Sequence, residues 1–333
     1  MQQEANRCKM DARRYSRGPK KSGKPINSML RESLSKTEFN IHAKTHIGHV
    51  SLTVANLDRQ IEFYEKVIGL QLRERNGSVA SLGAGKDELL RLTQLTGAER
   101  RRGTTGLYHL AILLPDRREL AGAIGRLFAL RYRNYPTDHI MTKTTYLDDL
   151  EGNGIELYAE SPEDGTWSLT NGEYITRRAD GSLSDGREPL DVEALLTHLK
   201  EGDRLDAPMP PETRIGHVHL HVRNIDEALD FYHGVIGFDV MGVAKAFRMA
   251  FVSAGGYHHH IGLNTWQGEG APASAANSLG LRHFSVALPD QAELNRVLEH
   301  LREAGVPTKQ TEAGILVRDP SQNGVLLTAR AQE

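Results

Sequence analysis

The sequence has a single cysteine, Cys8, among its 333 residues, which excludes disulfide frameworks and thiolate metal sites within the chain. No stretch approaches the roughly 18 consecutive apolar residues of a membrane span, and the first residues lack an apolar signal core. The formal net charge of −2 leaves no basic excess for a polyanion. We therefore expect a soluble, cytoplasmic protein that binds neither nucleic acid nor membrane and holds any metal through nitrogen and oxygen.

The chain is longer than one hydrophobic core usually supports, which predicts two domains. Residues 1–42 contain the basic stretch "RRYSRGPKKSGKP" and have no apolar periodicity, as is typical of a disordered leader. Residues 161–212 are rich in turn-forming residues around one short helical run, and we predict a linker there.

An internal repeat dominates the rest of the chain. The stretch "IGHVSLTVANLDRQIEFYEKVIGL", which begins at Ile47, matches "IGHVHLHVRNIDEALDFYHGVIGF", which begins at Ile215, at 13 of 24 positions. Further along, "LYHLAILLPD" matches "LRHFSVALPD", and "DLEGNGIEL" matches "DPSQNGVLL". The chain is therefore predicted to be a duplication.

Each half divides again, because the same pattern occurs four times. A histidine opens an alternating strand, an Asn or Asp then precedes an amphipathic helix, and shorter strands follow. This pattern predicts an α+β fold of four βαβββ modules. We expect a metal-bearing domain of two modules over residues 43–160 and a second domain of two modules over residues 213–331. The four opening histidines are His49, His109, His217 and His283.

Glu156 lies inside the apolar run "GIELY". An ionised carboxylate in an apolar interior is costly unless it is paired or bound to a metal. The sequence therefore indicates that Glu156 has a cationic partner.

Four stretches resemble the vicinal oxygen chelate (glyoxalase/bleomycin resistance/dioxygenase) superfamily: "IGHVSLTV", "GLYHLAILLPD", "DHIMTKTTYLDDLEGNGIELY" and "SAGGYHHHIGLNTW". They are most similar to type I extradiol dioxygenases of the catechol 2,3-dioxygenase kind. The resemblance implies two tandem vicinal-oxygen-chelate domains and a metal site formed by His49, His109 and Glu156. Two imidazoles and one carboxylate on one face of Fe(II) leave positions open for substrate and O2, and Mn(II) accepts the same ligands.

The resemblance also implies an activity, which is extradiol cleavage of catechol or a substituted catechol with O2. The product would be of the 2-hydroxymuconic semialdehyde type, as in the catabolism of aromatic compounds. By the same resemblance, His139 hydrogen-bonds the substrate or the oxygen intermediate, Tyr146 hydrogen-bonds a substrate hydroxyl, and the protein is a homo-oligomer.

One expected residue is missing. Type I enzymes place an acid–base histidine on the last strand of the first module of the pair, but the equivalent run, "KDELLRLTQL", contains none. The proton-transfer step is therefore open, and His139 is one candidate for it.

The second half has Leu326 at the position of Glu156, so we expect it to carry a degenerate metal site. Its triple histidine, "GYHHHIGLN", offers a rival site made of His217, His258 or His260, and His283. The triple histidine could instead form a buried polar ladder between the domains.

Two other functions are compatible with the sequence. A glyoxalase-like lyase or isomerase would use a fourth protein ligand, for which Glu88 is the candidate. A binding protein of the bleomycin-resistance sort would sequester an aromatic compound without metal.

Overall fold

The computed structural model describes residues 39–170 and 173–330. Most of the predicted leader, with Cys8, lies outside the described residues. Among the helices of the described part, none is long and apolar enough to cross a membrane.

The α+β class and the four βαβββ modules are confirmed. The first module consists of β1 (His46–Val54), α1 (Leu57–Phe63) with a π-helical turn (Tyr64–Ile68), β2 (Gln71–Asn76), β3 (Val79–Ala84) and β4 (Asp87–Gln94). The second consists of β5 (Gly106–Leu113), α2 (Arg117–Ala129), β6 (Tyr135–Asp138), β7 (Thr142–Asp148) and β8 (Gly154–Glu160).

The segment predicted as a linker contains secondary structure of its own. Three short strands form a separate antiparallel sheet, and a fourth joins the edge strand β6. The elements are a 3-10 turn (Pro162–Asp164), β9 (Gly165–Thr170), β10 (Glu173–Arg178), β11 (Leu183–Ser184), β12 (Glu188–Pro189) and α3 (Val192–Leu196).

The other two modules repeat the same order. The third consists of β13 (Arg214–His221), α4 (Ile225–Tyr232), β14 (Asp239–Ala244), a 3-10 turn (Lys245–Phe247), β15 (Met249–Ser253) and β16 (Ile261–Asn264). The fourth consists of β17 (Gly280–Leu288), α5 (Gln291–Glu303), β18 (Lys309–Thr311), β19 (Gly314–Arg318) and β20 (Gly324–Ala329).

The module helices begin where the sequence predicts. In α2, Oδ1 of Asp116 accepts a hydrogen bond from the backbone N–H of Glu119 at 3.0 Å, which satisfies a donor that the first helical turn leaves without a partner. The equivalent caps are Asn56, Asn224 and Asp290.

The strands alternate as the pattern requires. Val50, Leu52 and Val54 of β1 are fully buried in the hydrophobic core beneath the sheet. The histidine that opens each first strand is thereby directed to the opposite face of the sheet, away from the core.

The modules pair across the two halves rather than within them. The nine-stranded sheet has the order β12-β6-β7-β8-β5-β13-β16-β15-β14, and the eight-stranded sheet has the order β18-β19-β20-β17-β1-β4-β3-β2. The second module thus joins the third through antiparallel β5 and β13, and the first joins the fourth through antiparallel β1 and β17. Residues 43–160 therefore contribute to both sheets, and the division at 161–212 stays a prediction.

Within each half, a hydrogen bond also joins the two modules on their helical side. The hydroxyl of Tyr64, at the end of the first module's helix, donates to Oδ2 of Asp149 in the second module at 3.1 Å. The hydroxyl of Tyr232 donates to Oδ2 of Asp319 in the same way at 3.0 Å. The duplicated halves therefore keep matching internal contacts while sharing their sheets.

Candidate metal centre

Three neighbouring strands of the nine-stranded sheet bring two histidines and a glutamate together. Ala111 of β5 lies opposite Glu156 of β8 on one side and opposite His217 of β13 on the other. His109 is two residues before Ala111 and therefore shares its face of the sheet. Because the alanine side chain is small, the three larger side chains can converge above it.

The ligand-type atoms of these residues form a nearly equilateral triangle. Nε2 of His109 and Nε2 of His217 are 3.3 Å apart, and each is 3.1 Å from Oε2 of Glu156. Adjacent donors on an octahedral ion with bonds of about 2.1 Å are about 3.0 Å apart, and tetrahedral donors are about 3.4 Å apart. The spacing therefore fits one shared divalent ion. Within the described residues, these three form the group of His, Cys, Asp and Glu side chains close enough to hold a metal.

The protonation states also suit metal binding. Burial lowers the pKa of His217 to about 4, so its imidazole is neutral at neutral pH. Burial acts to raise the pKa of Glu156, but the neighbouring His217 and His109 outweigh it and hold that pKa well below the usual carboxyl range. Metal binding requires neutral imidazole and ionised carboxylate ligands, and His217 and Glu156 are in these states.

Strand β16, which lies next to β13, supplies no ligand. Glu156 lies opposite Ala111, two residues after His109. The equivalent residue of the third module is Gly262, which lies opposite His219, two residues after His217. A Cβ atom at Gly262 would lie 2.8 Å from Cγ of His219, so the glycine leaves room for that ring. Gly262 therefore supplies no fourth ligand at the position equivalent to Glu156.

The prediction of the ligands needs one correction. His109 and Glu156 are brought together as expected, but His49 lies in the other sheet and His217 takes the third position. The reason is strand pairing, because β5 pairs with β13 whereas β1 pairs with β17. The ring of His49 instead lies 5.5 Å from that of His283, and its Nδ1 is 3.1 Å from Oγ of Ser285.

The repeat itself carried the signal for His217. His217 occupies the same motif position as His49, but Leu326 replaces the glutamate in that half, so the sequence alone predicts a degenerate copy there. In the structure Leu326 belongs with His49 and His283 in the eight-stranded sheet. The degenerate site is therefore the one made by the first and fourth modules.

His139 and Tyr146 lie close to the triangle and to each other. Tyr146 is the register partner of Glu156, and its ring is 5.6 Å from that of His109. Nδ1 of His139 is 2.6 Å from the carbonyl oxygen of Gly186 and must donate to it. In the neutral ring Nε2 is then an acceptor, and the hydroxyl of Tyr146, 2.9 Å away, donates to it.

The pKa values of this pair support that assignment. Burial lowers the pKa of His139, and this outweighs the opposing effect of Glu156. Burial, with a further contribution from Glu156, raises the pKa of Tyr146 well above its usual value. The imidazole is therefore neutral and the phenol is protonated at neutral pH.

The triple histidine precedes β16 and does not form the rival site. His259 faces the triangle, with its ring 4.1 Å from that of His217. His258 bonds to Glu160 at 3.1 Å, and His260 points elsewhere, with Nδ1 2.9 Å from Oγ of Ser253. His283 lies in the other sheet.

Aromatic side chains line one side of the centre. The ring of Tyr108 lies 5.0 Å from that of Trp266 in an edge-on arrangement. The ring of His219 lies 5.5 Å from Trp266 and 6.1 Å from Phe251. Trp167, from the segment predicted as a linker, packs its ring 5.7 Å from that of Phe251. These rings offer flat apolar surfaces beside the polar triangle.

Comparisons with known proteins agree with this architecture. The model of the Glyoxalase/Bleomycin resistance protein/Dioxygenase superfamily matches residues 46–157 and 214–326. A catechol-2,3-dioxygenase from Bacillus subtilis (strain 168) is 42% identical over 284 residues, which are 84% of this chain and 96% of that protein.

Two solved structures share the fold. One, from Bacillus subtilis subsp. subtilis str. 168, carries the provisional name of a dioxygenase; its TM-score is 0.56 at 13% identity, over 90% of this chain and 87% of that one. The other is a glyoxalase I variant from Zea mays, with a TM-score of 0.51 at 16% identity, over 86% of this chain and 94% of that one. At these identities the likeness extends to the fold alone.

Proposed function

Because the chain belongs to the Glyoxalase/Bleomycin resistance protein/Dioxygenase superfamily, we propose that it is an extradiol ring-cleaving dioxygenase of the catechol 2,3-dioxygenase type. Its substrates would be catechol or a substituted catechol and O2, and its product would be of the 2-hydroxymuconic semialdehyde type. The observation that carries the proposal is the triangle of His109, Glu156 and His217 with Gly262 at the fourth position. The identity of 42% to a catechol-2,3-dioxygenase supports it.

The three donors suit Fe(II), and Mn(II) accepts the same set. A bound Fe(II) would supply the redox chemistry and the open positions that a chelating catechol and O2 need. The residues of the chain then have to orient the ring, accept a proton from it and limit the access of water.

Tyr146 is proposed to contact a substrate hydroxyl, and His139 to orient Tyr146. The phenolic proton of Tyr146 is used in the hydrogen bond to His139. The oxygen of Tyr146 therefore keeps lone pairs that can accept a hydrogen bond from a substrate hydroxyl. Direct contact of His139 with substrate stays a prediction from the resemblance.

His259 is proposed as the acid–base histidine that the first module lacks. The third module contributes to the sheet of the metal centre. Its segment equivalent to "KDELLRLTQL" contains the triple histidine. Burial lowers the pKa of His259 well below its usual value, and the nearby His217 adds to this. A neutral imidazole in contact with a metal ligand can accept a proton from a bound catechol.

The aromatic wall supports a planar substrate. Rings of Tyr108, Trp266 and Phe251 stand beside a centre that otherwise consists of polar donors. A catechol would pack its ring against them while its two oxygens face the ion. Which ring substituents are accepted depends on these side chains.

The two other functions have less support. Glu88, the candidate fourth ligand of an isomerase, forms two hydrogen bonds of 2.7 Å with Arg91 in the eight-stranded sheet. Gly262 stands at the position in the centre where a fourth ligand would be needed. A metal-free binding protein would have no use for three converging donors in a buried site.

Reconstitution under anaerobic conditions tests the proposal. The purified chain is loaded with Fe(II), mixed with catechol and exposed to air, while O2 uptake and a yellow ring-opened product are followed. Parallel samples carry Mn(II) or Zn(II), and Glu156→Gln, which keeps the size of the side chain, is the control without the anionic ligand. Turnover without O2 uptake, or with Zn(II), would favour the isomerase. No metal retention by the unmodified chain would favour the binding protein.

Cytoplasmic location and a homo-oligomeric assembly stay predictions. Size-exclusion chromatography with light scattering would measure the assembly state directly.

A further inference from the structure

A chain of hydrogen bonds leads from the triple histidine to a glutamate at the end of β8. Nδ1 of His259 is 2.8 Å from Nδ1 of His258, and Nε2 of His258 is 3.1 Å from Oε1 of Glu160. We propose that Glu160 and His258 are positioning residues that fix the tautomer of His259, so that its Nε2 keeps the lone pair that accepts a proton. The inference rests on the proposed function, because it concerns the same proton transfer.

The direction of each hydrogen bond follows from what the atoms can donate. An ionised carboxylate accepts only, so Nε2 of His258 carries the hydrogen in the bond to Glu160. An imidazole with its one hydrogen on Nε2 presents Nδ1 as an acceptor. Nδ1 of His259 must therefore carry the hydrogen, which leaves Nε2 of His259 with its lone pair.

Glu160 is held as an acceptor from a second side. The hydroxyl of Tyr257 donates to the same Oε1 atom at 2.7 Å, and the hydroxyl of Tyr158 lies 2.5 Å from that of Tyr257. Because Tyr257 uses its proton on Glu160, Tyr158 donates to Tyr257. Burial acts to raise the pKa of Glu160, but the bonds from His258 and Tyr257 outweigh it and hold that pKa below the usual value.

Packing keeps the two rings in this arrangement. The ring of His258 lies 4.1 Å from that of Tyr257, and the ring of His259 lies 4.1 Å from His217 and 4.7 Å from Phe251. A flip of either imidazole would break the bond that joins them. The tautomer is therefore selected by a fixed chain of partners, as a buried carboxylate fixes the histidine of a catalytic triad.

The next histidine provides a matched control. His260 is also buried, but its Nδ1 bonds to Oγ of Ser253 and to the backbone N–H of Ala254, away from the chain that ends at Glu160. Its ring packs 4.9 Å from that of Tyr257, but its replacement removes a buried imidazole from the same segment without removing any hydrogen bond of that chain.

Nitrogen NMR of the full-length protein tests the inference without turnover. Histidine labelled with ¹⁵N is incorporated, and two-bond ¹H–¹⁵N correlations at neutral pH assign the protonated nitrogen in the metal-free and Zn(II)-loaded forms. We expect His259 to carry its hydrogen on Nδ1. In His258→Phe, which keeps an aromatic ring but has no nitrogen, we expect the hydrogen to move to Nε2. His260→Gln should leave the signals of His259 unchanged. A hydrogen on Nε2 in the unmodified protein, or no change in His258→Phe, would overturn the inference.

Kinetics of the Fe(II)-loaded protein supply the second measurement. We expect His258→Phe and Glu160→Ala to lower kcat about 10- to 100-fold while KM for catechol and the metal content stay within about 2-fold. Glu160→Gln keeps an acceptor oxygen and should recover part of the loss.

The two measurements separate the inference from the proposed function. If the unmodified protein takes up no O2, the proposed function fails, and the NMR still reports the tautomer. If the unmodified protein turns over catechol and His258→Phe does so equally well, the inference alone fails.

Discussion

Two cups of this molecule are built from the same parts but differ in what they can bind. The site cup is formed by β5, β8, β13 and β16, and the sister cup by β1, β4, β17 and β20. Each cup receives one histidine from each of its two first strands. The two imidazole rings are 5.4 Å apart in the site cup and 5.5 Å apart in the sister cup, edge to face in both, so the two pairs of histidines are similarly spaced.

A single strand position accounts for the difference. In each first strand, the residue two positions after the histidine pairs with a residue of the last strand of the same module. These partners are Glu156 and Gly262 in the site cup, and Arg91 and Leu326 in the sister cup. An arginine adds positive charge where an ion would need an anion, and a leucine supplies no donor. The repeat thus provides a pair of histidines in each cup, and the site cup also has the carboxylate that completes the candidate metal site.

The largest expected effect comes from removing a candidate metal ligand of the site cup and comparing it with the equivalent change in the sister cup. His217→Ala should abolish metal retention and lower kcat/KM at least about 1,000-fold, because it removes one of three donors. His49→Ala, the equivalent change in the sister cup, should leave both within about 2-fold. Metal analysis and O2 uptake check both variants. Loss of metal in His49→Ala with metal retained in His217→Ala would reverse the assignment of the cups.

Removal of one hydroxyl should have a smaller effect. Tyr146 faces Glu156 in the site cup, whereas Leu316 faces Leu326 in the sister cup. Tyr146→Phe should lower kcat about 10- to 100-fold with the metal retained, because the substrate loses a hydrogen-bond acceptor. Tyr64→Phe, which removes a buried hydroxyl bonded to Asp149, should lower stability but not kcat. Equal kcat in Tyr146→Phe and the unmodified protein would remove Tyr146 from the proposed mechanism.

The sister cup can also be given the missing donor. Leu326→Glu places a carboxylate opposite Ser285, where Glu156 stands opposite Ala111. We expect the metal content to rise toward a second ion per chain, and the loss of stability from the buried charge to be partly recovered on adding metal. Metal analysis and thermal unfolding with and without metal measure this. An unchanged metal content would mean that Arg91, which lies opposite Ser51 in the same cup, also blocks the site.

The smallest effect concerns pH. Burial, with a contribution from His49, lowers the pKa of His283 from 6.5 to about 4. The folded state therefore binds fewer protons than the unfolded state between these values, so stability is retained above pH 6.5 and lost as the pH falls toward 4. In urea unfolding of the metal-free protein, His283→Gln should lose less stability between pH 7 and pH 5 than the unmodified chain, by at most about 2 kcal/mol. Identical losses would contradict the burial of this imidazole.

Much of the local structure could be read from the residues. The alternation of Val50, Leu52 and Val54 predicted the buried face of β1, and an Asn or Asp before each amphipathic run predicted where the module helices begin. Glu156 was recognised because a charge in an apolar strand needs a partner. These are effects of side-chain periodicity and of hydrogen bonds within a few residues, which any short window of sequence contains.

The sequence by itself thus determined the modules, the two faces of each strand and the need of Glu156 for a partner. Only the tertiary structure decided that His217, and not His49, meets His109 and Glu156. All four first strands share the same pattern of a histidine followed by alternating apolar residues, so each could pair with any other. The choice depends on contacts between residues far apart in the chain, through the antiparallel pairing of β5 with β13 and of β1 with β17.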